Sequence, residues 1–255
     1  MKNLGRTAKL GFFLGYQDIY QGYRRSIVGQ FWITLGMATQ IITISLVFGI
    51  LFRIPSKDYL PYVATGIIVW NLISGSILES TRSYIESEQL IKQLPVDFLT
   101  YNVRTISRNL LVFFHNSLIL PITMLFLGIL PSMETLLLLP GLALLLANLC
   151  WISVILGVAA TRFRDLIQVA ASLMMVLFYV TPVMWKIETL GDSISGHYLL
   201  GLNPLYHLLQ IVRLPLLGKL PTQENWLISL VLLLLGTLAA RSIYRLNKDK
   251  LAYWV

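Results

Sequence analysis

Residues 135–161 read TLLLLPGLALLLANLCWISVILGVAAT, 27 positions without a single charge. A helix rises about 1.5 Å per residue, so roughly 20 such residues cross a hydrocarbon core of ~30 Å. This stretch is long enough to span a membrane, and the chain repeats the pattern. Uncharged runs also fill 26–52, 59–78, 109–133, 166–185 and 225–240. The last is shorter, but Arg241 at its end can snorkel and lengthen it. Six transmembrane helices are expected, over about 31–52, 59–78, 109–131, 136–160, 166–185 and 225–244. Apolar residues make up 56% of the chain and charged ones 13%, which excludes a soluble globule and a disordered chain. The expected class is an all-α integral membrane protein.

Charge sets the expected orientation. If odd-numbered spans run from inside to outside, 15 of the 20 Lys and Arg fall on the inner side. That split follows the positive-inside rule and makes both termini cytoplasmic. The net charge of +8 then serves topology rather than nucleic acid. All 12 Asp and Glu lie in loops or at span ends. An ion-driven carrier usually needs an ionisable group at membrane depth, so the energy is expected from elsewhere. No phosphate-cradling G-x-x-x-x-G-K-[ST] occurs, since Gly218-Lys219 is followed by Leu220. No cofactor is expected in this chain. Cys150 is the one cysteine, which rules out an intrachain disulfide and a thiolate metal cluster. No Ser–His or paired-carboxylate arrangement suggests a hydrolase. The first thirty residues hold no continuous apolar core, so the first span is expected as an uncleaved anchor.

Between the spans, three segments stand out. In 1–29, Leu10, Phe13, Tyr16, Tyr20 and Tyr23 recur every three or four residues beside Lys9, Arg24 and Arg25. This predicts an amphipathic helix in the cytoplasmic interface, with a frayed basic tail as the alternative. The inner loop 80–108 predicts a short charged helix over 84–94, stopped before Pro95. In 186–224, the apolar stretch 198–212 is broken by Asn203-Pro204. Counting it as a span would turn the C-terminus outward and worsen the charge split. Re-entrant outer helices between spans five and six are expected instead. Pro121 predicts a kink in span three. His115 lies within that span, where it is either a functional group or a hydrogen-bonded neighbour of Asn116. His197 and His207 have no metal-ligand spacing. Ala143, Ala147, Gly157 and Ala160 are expected at close helix contacts.

Five segments in order resemble one family. They are Tyr23-Arg24-Arg25-Ser26-Ile27-Val28-Gly29-Gln30-Phe31-Trp32, Leu90-Ile91-Lys92-Gln93-Leu94-Pro95, Phe163-Arg164-Asp165-Leu166, Tyr179-Val180-Thr181-Pro182-Val183 and Asn203-Pro204-Leu205. Together, over about 16–250, they resemble the ABC-2 type permeases that export O-antigen, capsule or teichoic acid polymers. Span one lacks the proline that many relatives carry after the tryptophan, and Thr100-Tyr101-Asn102 stands where relatives often carry another. The resemblance implies the bacterial inner membrane, a homodimer of this chain and a separate ABC ATPase in two copies. ATP and Mg would then sit in that partner. The substrate implied is a lipid-linked (undecaprenyl-pyrophosphate) polysaccharide. An ABC-2 drug or small-lipid exporter and a passive channel are the alternatives.

Candidate sites follow. Tyr84, Ile85, Glu86, Glu88, Leu90, Ile91 and Lys92 would form an ATPase-coupling helix, its apolar members in a partner groove and its charges at the rim. An amphipathic helix on the headgroups is the plainer reading. Arg24, Arg25, Arg162 and Arg164 would receive the lipid pyrophosphate at the inner mouth, because guanidinium groups grip phosphate oxygens bidentately. They also suit simple positive-inside anchors. Tyr16, Tyr20, Trp32, Tyr62, Trp70, Phe178, Tyr179 and Trp185 would line a glycan path, or form the interfacial aromatic belt. Asn203, Pro204, Leu205 and Leu209 would form an outer gate, or a static cap.

Overall fold

The computed structural model describes residues 2–93, 96–128, 132–187, 198 and 200–255. The helices named below are α1 Lys2–Gly22, α2 Phe31–Leu51, α3 Ser56–Ser80, α4 Glu88–Gln93, α5 Leu99–Ser117 and α6 Ile119–Leu127. A 3₁₀ turn, Met133–Leu137, leads into α7 Leu138–Arg162, followed by α8 Leu166–Val180, α9 Pro204–Leu216 and α10 Gln223–Trp254. The described residues contain no strand. Five helical stretches are long and apolar enough to cross a membrane: Phe31–Leu51, Ser56–Ser80, Leu99–Leu127, Met133–Arg162 and Gln223–Trp254.

Helix α3 is the axis. Of its most apolar window 72% is buried, against 22% for α2 and 17% for α10. It packs against α2, α5, α6, α7, α8 and α9. Val63, Ala64, Ile67, Ile68, Leu72 and Ile73 all fall below 4% exposure. A helix apolar on every face has to be enclosed by others or by lipid, and here α3 is enclosed by its neighbours while most of α10 is left uncovered by the rest of the chain.

The structure revises four boundaries. The third span, expected over 109–131, begins ten residues earlier at Leu99, so the inner loop is 81–98 rather than 80–108. The reason is that Arg104 and Arg108 are paired on the helix, as described below, and do not mark a loop. The chain changes from α5 to α6 at Leu118, three residues before Pro121. Proline offers no N–H to the carbonyl of Ser117, which fits the expected disturbance there. The short helix expected over 84–94 covers only Glu88–Gln93, with turns over 81–87; Leu94 and Pro95 lie outside the described residues. The fifth span, expected over 166–185, is helical for 15 residues, Leu166–Val180, or about 22 Å. Thr181 is extended, at φ −82° and ψ 133°, as a residue before proline prefers, and Pro182 cannot donate to the helix.

Helix α8 nonetheless joins the two ends of the bundle. It starts just after Arg162, and its far turn lies against the first half of α3. The Tyr59 hydroxyl donates to the Met184 carbonyl at 2.6 Å and the Tyr62 hydroxyl to that of Trp185 at 2.8 Å. A side chain at Gly66 would collide with the Val183 carbonyl, and one at Gly141 with that of Ile211 on α9. Those two glycines let the 181–187 turn and α9 sink into the bundle. Pro204 opens α9 at a position where its missing N–H costs nothing, and Asn203 Oδ1 accepts from the Leu205 and Tyr206 amides at 3.0 and 3.4 Å.

Both chain ends reach the α4 end of the bundle. Leu251 and Val255 pack with Tyr84, Tyr101 and Val158. Helix α1 lies along α5, where Gly11 meets Val103 and Gly15 approaches the Arg104 carbonyl. A helix thus covers the segment where one was expected, and small residues set its contact with the bundle.

Candidate functional site

At the α4 end, charged side chains from four segments meet. Arg104 on α5 grips Asp18 on α1 with two hydrogen bonds of 2.7 Å, and its Nη1 reaches Ser87 Oγ in the 81–87 turn at 3.4 Å. Beside it, Arg108 lies 3.3 Å from Glu79 at the end of α3, and Asn109 Nδ2 donates to the same carboxylate at 2.7 Å. A polar cavity of about 40 Å³ lies between them, with Glu86 on its wall. Bidentate Arg–carboxylate pairs fix geometry as well as charge. The turn is therefore tied through Arg104 to α5 and α1.

Tyr84 anchors that turn from below. Its hydroxyl donates to Asn102 Oδ1, and Asn102 Nδ2 donates to Ser153 Oγ on α7 at 2.8 Å. Burial pushes the Tyr84 phenol far above its ordinary range. At 1% exposure it faces the bundle, so it does not present itself to a partner groove. Gly157, one of the expected small positions, leaves room for its ring. Ala160 is also buried, whereas Ala143 is exposed. The other expected coupling residues stay accessible. Glu86 and Lys92 are exposed, and Ile85, Glu88, Leu90 and Ile91 are half-buried. Lys92 Nζ bonds Glu88 at 2.5 Å and holds its carboxyl below the usual range.

The expected phosphate-binding arginines are exposed: Arg24 and Arg25 in the turn before α2, Arg162 at the end of α7 and Arg164 just beyond it. None of the three ion pairs among the described residues involves them. Arg162 stacks over Phe163 and Trp254, 5.5 and 5.2 Å from their ring centres. The expected aromatics divide into separate groups. Tyr16 and Tyr20 stack at 6.4 Å on the exposed side of α1, and Trp32 is exposed nearby in sequence. Trp70 is buried and meets Phe178 edge-on at 5.8 Å. Trp185 Nε1 donates to the Tyr179 carbonyl at 3.0 Å.

At the α9 end, Arg213 is the central residue, and a count of outer-loop charges missed it. It is 0% exposed. Nη1 donates to the Pro182 carbonyl at 2.6 Å, and Nη2 to those of Tyr62 and Val183 at 2.9 and 3.2 Å. Its guanidinium carbon lies 3.4 Å from the centre of the Tyr62 ring. Asn203 Nδ2 donates to Thr181 Oγ1 at 2.8 Å. His207 is no isolated loop residue. It is buried with Asn225 Oδ1 and the Gly201 carbonyl at 2.9 and 3.0 Å from its ring nitrogens. Leu205 and Leu209 are buried in the core, and Pro204 is exposed. His197 lies outside the described residues. His115 Nδ1 contacts the Leu111 carbonyl at 2.9 Å, one turn back in its own helix.

The helical bundle thus carries a polar, multi-segment junction at one end and a buried, hydrogen-bonded arginine at the other. The family model of the ABC-2 type transporter matches residues 16–217, and the chain belongs to that family. It is an integral, multi-pass protein of the inner membrane, in a family of transport subunits that work with a separate ATPase and are not themselves ATPases. An O-antigen export system permease protein RfbA of Klebsiella pneumoniae is 23% identical over 207 residues, 80% of this chain and 78% of the relative. One from Myxococcus xanthus is 20% identical over 193 residues, 76% of this chain and 74% of that one.

Proposed function

We propose that this chain is the membrane half of an ATP-driven exporter that carries a polysaccharide on a lipid pyrophosphate. Two copies would surround the path, with two ATPase subunits holding ATP and Mg. The observation that carries the reading is the Asp18–Arg104–Ser87 junction. It ties an accessible turn to two helices, as a part that receives a mechanical push requires. The names of the relatives favour a glycan over a drug or a small lipid.

The same reading places the α4 end in the cytoplasm, in line with the excess of Lys and Arg there. It counts six spans, with α8 as the fifth. Support comes from the chain ends meeting at one end of the bundle, which requires an even number of crossings. Helix α9 and the 181–187 turn then form a re-entrant outer layer that seals the path until polymer passes. Arg24, Arg25, Arg162 and Arg164 remain the proposed receivers of the pyrophosphate, since all four are exposed at or near the cytoplasmic end.

Reconstitution tests this. Proteoliposomes holding this chain and its ATPase should move a glycan on undecaprenyl pyrophosphate only with hydrolysable ATP. Export of a small lipid but not the glycan would favour the drug-type alternative. Solute flux without nucleotide would make the chain a passive channel.

A further inference from the structure

A second concavity opens at the α9 end. Lys57 and Asp58 at the start of α3, Lys186 after the 181–183 turn, Gln210 on α9 and Lys219 beyond it line a cavity of about 410 Å³. That volume lies within the range of roughly 300–1,000 Å³ typical of small-molecule pockets. Tyr62 forms part of the wall, and its ring has the Arg213 guanidinium at 3.4 Å and the Lys186 ammonium at 5.7 Å. Among the described residues, three ammonium groups and one carboxylate thus line it from three separate segments, with a buried guanidinium close behind.

Like charges brought together in a cleft with low-dielectric walls focus a positive field and draw in anions. Gln210 adds a second feature. It is 3% exposed, and its Oε1 has no hydrogen-bond partner among the described residues. A buried acceptor left open is destabilising unless something donates to it. The lysines suit an anion, and the amide oxygen suits a hydroxyl donor. Together they ask for a ligand carrying both groups.

We propose that this cavity binds an anionic, hydroxyl-bearing group, with a carboxylate or phosphate between Lys57 and Lys219 and a neighbouring hydroxyl donating to Gln210 Oε1. Two sources carry that chemistry: an acidic sugar of an exported polymer, or a phosphatidylglycerol headgroup of the outer leaflet. The first source rests on the function proposed above; the second does not.

Calorimetric titration of the purified full chain in phosphatidylcholine nanodiscs separates them. The probes are trigalacturonate, uncharged maltotriose and dioctanoyl-phosphatidylglycerol. Trigalacturonate should bind at least about tenfold more tightly than maltotriose, as loss of one charge-assisted contact implies. Lys57→Gln and Lys219→Gln should each weaken it about tenfold, with Lys219→Arg restoring most of the loss. Gln210→Leu should weaken trigalacturonate as well. If that buried variant fails to fold, the exposed Lys57→Gln still decides the matter. Lysine-dependent binding of dioctanoyl-phosphatidylglycerol alone assigns the site to lipid. Lysine-dependent binding of both probes assigns the shared group. If neither probe binds, or binding ignores the lysine variants, the proposal is overturned. No ATPase or transport is needed, so failure here leaves the export reading standing, and failure of export leaves this titration readable.

Discussion

At the α9 end, Arg213 is fully buried and gives its hydrogen bonds to three backbone carbonyls within its own neighbourhood. At the α4 end, the Arg104 and Asp18 side chains keep about a quarter of their surface exposed, and their pair joins two different helices. The first arrangement is shut away from water, which cannot take over its bonds. The second is exchangeable, because water and neighbouring carboxylates such as Glu86 and Glu79 can take over its bonds. On the function proposed above, the α4 end would transmit force and the α9 end would hold shape.

Replacing Arg213 by Met should have the largest effect. It leaves three carbonyls without their donor inside the bundle, at a cost of roughly 3–5 kcal/mol. Tm of the purified protein should fall by about 10 °C, and proteolysis of the α9 region should accelerate. A stable Arg213→Met protein would end the idea of a fixed seal.

Asp18→Asn should act less on stability and more on coupling. Losing one partner of a part-exposed pair costs about 1–2 kcal/mol, or a few degrees in Tm. In the assembled exporter, ATP hydrolysis should continue while glycan export drops severalfold. If both activities fall together, the junction is merely structural.

The smallest effect is expected at Glu88. Lys92 depresses its carboxyl, so its contribution is present above the ordinary carboxylate range and fades as the pH falls through the lowered value. The pair is exposed on a short helix, so Glu88→Gln should leave Tm unchanged at neutral pH. A measurable drop would mean that α4 is more tightly held than the geometry indicates.

The same contrast marks what a sequence reveals. The uncharged runs of α2, α7 and α10 are legible because lipid demands apolar side chains whatever their partners. Arg104 looked like a loop residue because its partner, Asp18, stands 86 positions away, and a lone basic residue carries no sign of pairing. Arg213 looked like an outer-loop charge for the same reason. The backbone carbonyls it bonds leave no trace in sequence. Asn203-Pro204 was legible as a break, and its role as a helix cap follows from local chemistry. As an apolar member of a short charged helix, Tyr84 reads in sequence as partner-facing. Its inward turn depends on Asn102 and Gly157, which belong to other helices.

The most direct test of the account asks which end meets the ATPase. A photo-crosslinking amino acid placed at exposed Glu86 beside α4, or at exposed Lys57 at the opposite end, would be irradiated in cells that also make the partner subunit. The account expects an ATPase crosslink at Glu86 and none at Lys57. A crosslink at Lys57, or at neither position in an exporter that still works, would contradict it.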